Sequence, residues 1–340
     1  MGNPHLHWPS VALVFASMMT FGQALFLGAL QGISELFPVS SLAQTILLPA
    51  LLRWDLGSRE RPDFLAFVVA LHLATAIALF IYFWKDWKEV IVGLFGGLGR
   101  GKLIYDSASK FAWLLIAGTI IVGAFGLVFE KKLRELFENP DKAWIVAAVL
   151  VANGFVMLMA DVLKRRASER EKPVMAAPVA GGDSAETTTA MAAGEAVADD
   201  ERDPAEDPPA QRRNAQDLTL IEGGAIGATQ TLALLPGISR SGVTIAAGLL
   251  AGLSYEEACR FSFMLATPVI GLAALLKVPT LLKPTARPML GMTIASAVVA
   301  GLCAYLSTRF LMRYFRHHRL APFGWYCIIF GVFALVMLRR

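Results

Sequence analysis

Two charged side chains stand alone in apolar sequence, and each lies beside a proline and a pair of polar residues. Arg240 sits in Pro236-Gly237-Ile238-Ser239-Arg240-Ser241-Gly242, and residues 223–255 contain no other Lys, Arg, Asp or Glu. Glu35 is the first Lys, Arg, Asp or Glu of the chain, and Pro38-Val39-Ser40-Ser41 follows it closely. An isolated charge in a membrane segment is expensive and by default marks a functional site. A guanidinium presents a planar fork that matches two phosphate oxygens. Gly237 and Gly242 would let backbone N–H groups approach an anion, and a helix starting after the break would offer its positive end. Ser239, Ser241 and Thr244 add hydroxyl donors. Glu35 lies four residues after Gln31, so on a helix the two share a face. A carboxylate there could take a proton or hold a divalent cation on phosphate oxygens. Ser40 and Ser41 follow the Pro38 break, where a hydroxyl could act as nucleophile. The bland alternative is a buried Arg240–Glu35 ion pair, with serines bonded to the preceding helical turn.

The elements that must position these residues are membrane helices. The chain has 340 residues, of which 56% are hydrophobic and 17% charged, against roughly 25% charged in an ordinary soluble domain. Runs free of Lys, Arg, Asp and Glu cover residues 64–84, 111–129, 143–160, 261–276, 289–306 and 322–338, close to the ~20 residues that a bilayer core requires. The expectation is an all-α polytopic membrane protein. The first Lys or Arg is Arg53, so no basic start of a signal peptide precedes the apolar sequence, and the N-terminus is expected to be retained. Cys259, Cys303 and Cys327 have no metal-ligand spacing and read as small packing residues. A net charge of +4 suits loops facing anionic headgroups, and no clustered basic face suggests nucleic acid as a partner.

One segment differs from the rest. Residues 165–217 pass from a basic start through Ala, Gly, Thr and Pro to an acidic, proline-rich stretch. Such a composition buries too little to offset ordering entropy and reads as a disordered linker between a first membrane half, 1–164, and a second, 218–340. The halves resemble each other. Gly28-Ala29-Leu30-Gln31 recurs as Gly227-Ala228-Thr229-Gln230. Pro38-Val39-Ser40-Ser41 then echoes Pro236-Gly237-Ile238-Ser239 with a one-residue change in spacing, and Thr45-Ile46 matches Thr244-Ile245. Paired, broken segments point to two inverted repeats, each a re-entrant helix pair followed by three transmembrane helices. A small excess of basic residues favours the side carrying Lys85, Lys88, Lys164, Arg165 and Arg166 as cytoplasmic.

Gln31-Gly32-Ile33-Ser34-Glu35-Leu36-Phe37-Pro38-Val39-Ser40-Ser41, taken with Pro236-Gly237-Ile238-Ser239-Arg240-Ser241-Gly242-Val243-Thr244-Ile245, closely resembles the BacA-type undecaprenyl-diphosphate phosphatases. The likeness runs through both halves in order and omits only the linker. It implies an integral-membrane hydrolase of the bacterial plasma membrane with two re-entrant pairs and six spans. It implies removal of one phosphate from a polyprenyl diphosphate lipid at a site open to the outer face, recycling the carrier for peptidoglycan and conferring bacitracin resistance. A divalent cation, Mg²⁺ or Ca²⁺, is the implied cofactor, with Glu35 as its ligand. By position, Glu35 matches the family's essential acid and Gln31 a site where Glu or Gln occurs. Ser41 matches the nucleophile, and Arg240 with Ser239 and Thr244 the phosphate-binding set.

One position departs. The family motif usually continues from Ser-Ser to Gly-His, whereas this chain reads Leu42-Ala43-Gln44. Gln44 can contact substrate but cannot take a proton, so the acid/base work is expected of Glu35 with a metal-bound phosphate. His72 is the one histidine inside an apparent span. It is expected to be a packed neutral ring on a backbone carbonyl, with proton transfer as its alternative role. Two other functions fit the same residues: a polyprenyl-phosphate flippase or transporter, and a lipid-binding relative without turnover.

Overall fold

The computed structural model describes residues 19–54, 62–137, 142–170, 213–281 and 290–339. Eleven α-helices run through them: α1 Phe21–Ser34, α2 Ser41–Leu51, α3 Pro62–Tyr82, α4 Trp84–Gly99, α5 Ser107–Phe137, α6 Ala143–Arg170, α7 Leu220–Thr229, α8 Arg240–Leu250, α9 Tyr255–Leu281, α10 Leu290–Tyr314 and α11 Ala321–Leu338. Two 3₁₀ turns, Ala215–Asp217 and Gln230–Leu234, are added, and the described residues contain no β-strand. Helices α5, α6, α9, α10 and α11 are long and apolar enough to cross a membrane, and α3 with α4 makes a sixth if that bent pair is one span.

The surface has the polarity that lipid demands. Ile120, Leu127, Leu276, Leu302 and Ile329 are exposed, whereas Thr75, Asn153, Ser262 and Thr308 are buried. Thr75 and Thr308 find partners along their own helices: Thr75 donates to Leu71 O (3.0 Å) and Thr308 to Ala304 O (2.8 Å). No water is needed to satisfy them, as the bilayer interior requires. The chain is thus an all-α, multi-pass membrane protein, as expected. The 64–84 run is one helix, α3, through Tyr82, and the chain bends only at its end. Phe83 separates α3 from α4, which leaves at 81°. Gly93 and Gly97 set α4 on the start of α5, where an added Cβ would meet Ala108 Cβ at 2.7 Å and Lys102 O at 2.8 Å.

Close approaches hold the bundle. Helix α6 packs on α11, α10 on α1 and α3, α9 on α3, and α5 on α7. A Cβ at Gly154 would meet Gly324 O at 2.6 Å, and one at Gly331 would meet Val151 Cγ2 at 2.7 Å, so α6 and α11 touch through small residues. A Cβ at Gly28 would meet Ser296 O at 2.5 Å between α1 and α10, and Gly227 lies directly against Gly118 between α7 and α5.

Two broken pairs, α1/α2 and α7/α8, are built alike. Thr20 accepts from Gln23 N, and the Gln23 side chain accepts from Thr20 N, a capping box that starts α1. Thr219 and Glu222 form the same box at α7, with Arg213 donating to both Glu222 oxygens at 2.8 and 2.7 Å. Pro38 disfavours helical backbone at Phe37 and so separates α1 from α2. In the second pair a 3₁₀ turn leads into Pro236 and Gly237, whose φ of 111° suits glycine. Each second helix then starts on a serine cap: Ser40 Oγ accepts from Ala43 N, and Ser239 Oγ from Gly242 N. The spacing from Thr20 to Ser40 equals that from Thr219 to Ser239. The one-residue change read from the sequence is therefore corrected, and Ser41 corresponds to Arg240.

The expected linker is described only at its ends. Helix α6 continues through Arg170, and Arg213 is tied to Ala251 O (2.7 Å) as well as to Glu222. Residues 171–212 lie outside the described residues, as do His5 and His7.

Candidate active site

Glu35 is the hub. It caps the end of α1, and its side chain is 8% exposed. Arg240 Nη2 donates to Oε1 at 3.1 Å. Ser41 Oγ donates to Oε2 at 2.5 Å, and Gln31 Nε2 donates to the same oxygen at 3.0 Å. His72 Nε2 lies 3.7 Å from Oε2. His72 also has the expected carbonyl partner, its Nδ1 being 2.9 Å from Val68 O. Four of the residues singled out in the sequence, Gln31, Ser41, His72 and Arg240, thus surround the Glu35 carboxylate.

Arg240 uses only part of its fork. Its side chain is 12% exposed, and Nη1 is buried with no hydrogen-bond partner. An unsatisfied guanidinium nitrogen in an apolar setting is costly, and an anionic oxygen would satisfy it. Ser41 and Arg240 are the first residues of α2 and α8, so each begins a helix whose N-terminus carries partial positive charge. Ser40, the cap before Ser41, has φ 62° and ψ 93°. A non-glycine residue in that region stores strain, a common cost at reactive turns.

The other expected contacts shape the turns. Ser239 Oγ lies 3.1 Å from Ser241 Oγ, and Ser241 Oγ donates to Phe37 O across the two pairs (3.4 Å). Thr244 Oγ1 donates back to Arg240 O (2.8 Å) and contacts the Ser262 hydroxyl. A Cβ at Gly237 would meet Val146 O at 2.7 Å, and one at Gly242 would meet Met157 Sδ at 3.0 Å, so both glycines let the Arg240 turn lie flat on α6. Gln44 is buried. Its Nε2 donates to Val39 O (3.1 Å), and Tyr326 OH donates to its Oε1 (3.2 Å). It braces the turn before Ser41.

Sequence reasoning passed over Asn153 and Tyr326. Asn153 donates to Cys327 and accepts from Ser239 N (3.0 Å), so Cys327 does more than pack. A signal was there: Asn153 is the one Asn, Gln, Ser or Thr in the 143–160 run. Among the described residues no group of three or more His, Cys, Asp or Glu is placed to hold a metal ion.

Known proteins share this arrangement of sequence. Undecaprenyl-diphosphatase 2 of Frankia alni is 43% identical, over 94% of this chain and 98% of its own length. Undecaprenyl-diphosphatase of Mycolicibacterium paratuberculosis is 43% identical, over the same 94% and 98%. Undecaprenyl-diphosphatase 2 of Chromobacterium violaceum is 39% identical, over 92% and 97%. The family model described as bacitracin resistance protein BacA matches residues 24–333, from the first turns of α1 into α11. With nearly all of both broken pairs and every helix between them inside that match, the chain belongs to the BacA family.

Proposed function

We propose that this protein is an undecaprenyl-diphosphate phosphatase of the bacterial plasma membrane. It releases inorganic phosphate, returns undecaprenyl phosphate to peptidoglycan synthesis and confers resistance to bacitracin. The observation that carries this reading is Arg240 Nη1, a buried donor without a partner, near a serine hydroxyl already bonded to a carboxylate. The names of the relatives supply the substrate.

The chemistry follows from the residues. Arg240 receives the terminal phosphoryl group and stabilises the charge that spreads over its oxygens. Ser41 Oγ attacks phosphorus, the bond to the bridging oxygen breaks, and undecaprenyl phosphate leaves with that electron pair. The Ser41 proton passes along the existing hydrogen bond to Glu35 Oε2. Water then displaces Ser41 from phosphorus, Glu35 returns its proton to Oγ, and dihydrogen phosphate departs. Gln31 steadies Glu35 throughout.

A divalent cation suits this donor set. Mg²⁺ is commonly held by one or two carboxylates together with substrate phosphates rather than by an all-protein cage, and Glu35 with the Gln31 amide and Ser41 hydroxyl offers that arrangement. Mg²⁺ or Ca²⁺ held by Glu35 would neutralise charge on the diphosphate. The two halves are inverted copies in this reading. Supporting it, α1 and α7 share a capping box and a buried glycine, and they pack on α10 and α5 respectively.

The test is phosphate release from undecaprenyl diphosphate by the purified full chain with Mg²⁺ or Ca²⁺, beside Arg240→Ala. Release that vanishes in the variant supports the phosphatase. Lipid binding without release, under either metal, would sink it in favour of transport or simple binding.

A further inference from the structure

The turn that carries Arg240 lies along one stripe of α6. Gly237 rests on Val146 and Val149, Ser239 bonds Asn153, and Gly242 rests on Met157. These four α6 residues recur at intervals of about three or four, so they share a face. Asn153 alone among them has a hydrogen-bonding side chain, and it is fully buried.

Its amide is used in two directions. Oδ1 accepts from Ser239 N at 3.0 Å, one residue before Arg240. Nδ2 donates to Cys327 Sγ at 3.6 Å, and that thiol donates to Pro38 O at 3.7 Å. Pro38 opens the turn that ends at Ser41. One short chain of polar contacts therefore joins the two signature turns through α6 and α11, helices that supply neither nucleophile nor guanidinium. An asparagine that merely glued two spans together would need a partner on any neighbouring helix. Here the partners are the backbone of one turn and, through a thiol, the backbone of the other.

We propose that Asn153 is a positioning residue that, with Cys327, fixes the Arg240 turn relative to the Ser41 turn. It sets the separation of guanidinium and attacking oxygen, and its kinetic consequence rests on the phosphatase reading. Small displacements of this kind act on the chemical step more than on binding.

The experiment compares wild-type full-length protein with Asn153→Leu, Asn153→Asp and Cys327→Ala in detergent. Asn153→Asp keeps an oxygen acceptor for Ser239 N, whereas Asn153→Leu keeps only the bulk. The expected result is a kcat lowered about a hundredfold in Asn153→Leu, with a smaller change in KM. Asn153→Asp stays within about tenfold of wild type, and Cys327→Ala loses only a few-fold, because a thiol is a weak donor. Wild-type kcat in Asn153→Leu, or equal losses in the Leu and Asp variants, overturns the proposal. If Asn153→Leu does not fold, Asn153→Ala is read in the same way.

If wild-type protein releases no phosphate, the phosphatase reading falls by itself, and the clamp is judged on binding. Inorganic pyrophosphate should then raise the melting temperature of wild type and Asn153→Asp, and that of Asn153→Leu by a smaller amount. An equal shift in Asn153→Leu, or no shift in wild type, overturns the clamp.

Discussion

The two broken helix pairs have one framework and two chemistries. Each starts on a threonine capping box, buries a glycine against a spanning helix, breaks, and restarts on a serine cap. The first residue of the restarted helix is Ser41 in one pair and Arg240 in the other. Matched glutamines make the contrast sharper. Gln31 Nε2 bonds the Glu35 carboxylate, whereas Gln230 Nε2 turns back to Gly227 O (3.3 Å) and leaves its buried Oε1 without a partner. In the proposed mechanism a shared backbone plan sets where chemistry can sit, and single side chains decide which pair would supply the nucleophile and which the charge.

The division of labour is broken most severely at the two matched first residues. Arg240→Ala and Ser41→Ala should each lower phosphate release by about a thousandfold or more, measured as kcat/KM on undecaprenyl diphosphate. Retained activity in Ser41→Ala would transfer the attack to water. The glutamines should then separate. Gln31→Leu is expected to lose about tenfold in kcat, within the range for disturbing an acid/base group. Gln230→Leu should leave kcat unchanged and hold or raise the melting temperature, because it removes an unsatisfied buried acceptor.

Stability tests the shared framework instead of the chemistry. Gly28→Ala and Gly227→Ala should both destabilise by about 1–3 kcal/mol, since each new Cβ meets backbone that cannot swing aside. A large loss at one and none at the other would show that the pairs are seated differently. The smallest effect concerns pH. The Glu222 carboxyl is held down to about 2, chiefly by the Arg213 hydrogen bonds and then by Thr219 N. A carboxyl with a lowered folded-state pKa stabilises fully above its ordinary value near 4.5 and loses that support as pH falls through about 2. Pepsin cleavage near the start of α7 should therefore rise between about pH 4 and pH 2, while the uncharged Thr20–Gln23 box does not change.

Much of this was legible because the signals were stark. Isolated charges in apolar sequence identified Glu35 and Arg240, and the structure brings them within 3.1 Å. Apolar runs identified the spans but not their full lengths, since polar ends such as Glu256, Glu257 and Arg260 are still helical in α9. The α3/α4 bend was hidden because Phe83 and Trp84 continue the apolar run. Hydropathy carries no record of direction. The equivalence of Ser41 and Arg240 was obscured by matching Pro38 to Pro236, two prolines that do not occupy corresponding places. Cap geometry aligns Pro38 with Gly237 instead. Gln44 illustrates a different limit. Its place in a motif suggests substrate contact, and only the structure adds that Val39 O and Tyr326 OH hold its amide.

The Glu35–Arg240 pair spans 205 residues of sequence, and this has a consequence for biogenesis. At roughly 5–20 residues per second, synthesis would leave Glu35 waiting about 10–40 s for its counter-ion. During that interval Gln31, Ser41 and His72, all encoded nearby, are the groups able to solvate the nascent carboxylate. The same side chains that serve the finished site would then chaperone its acid through membrane insertion.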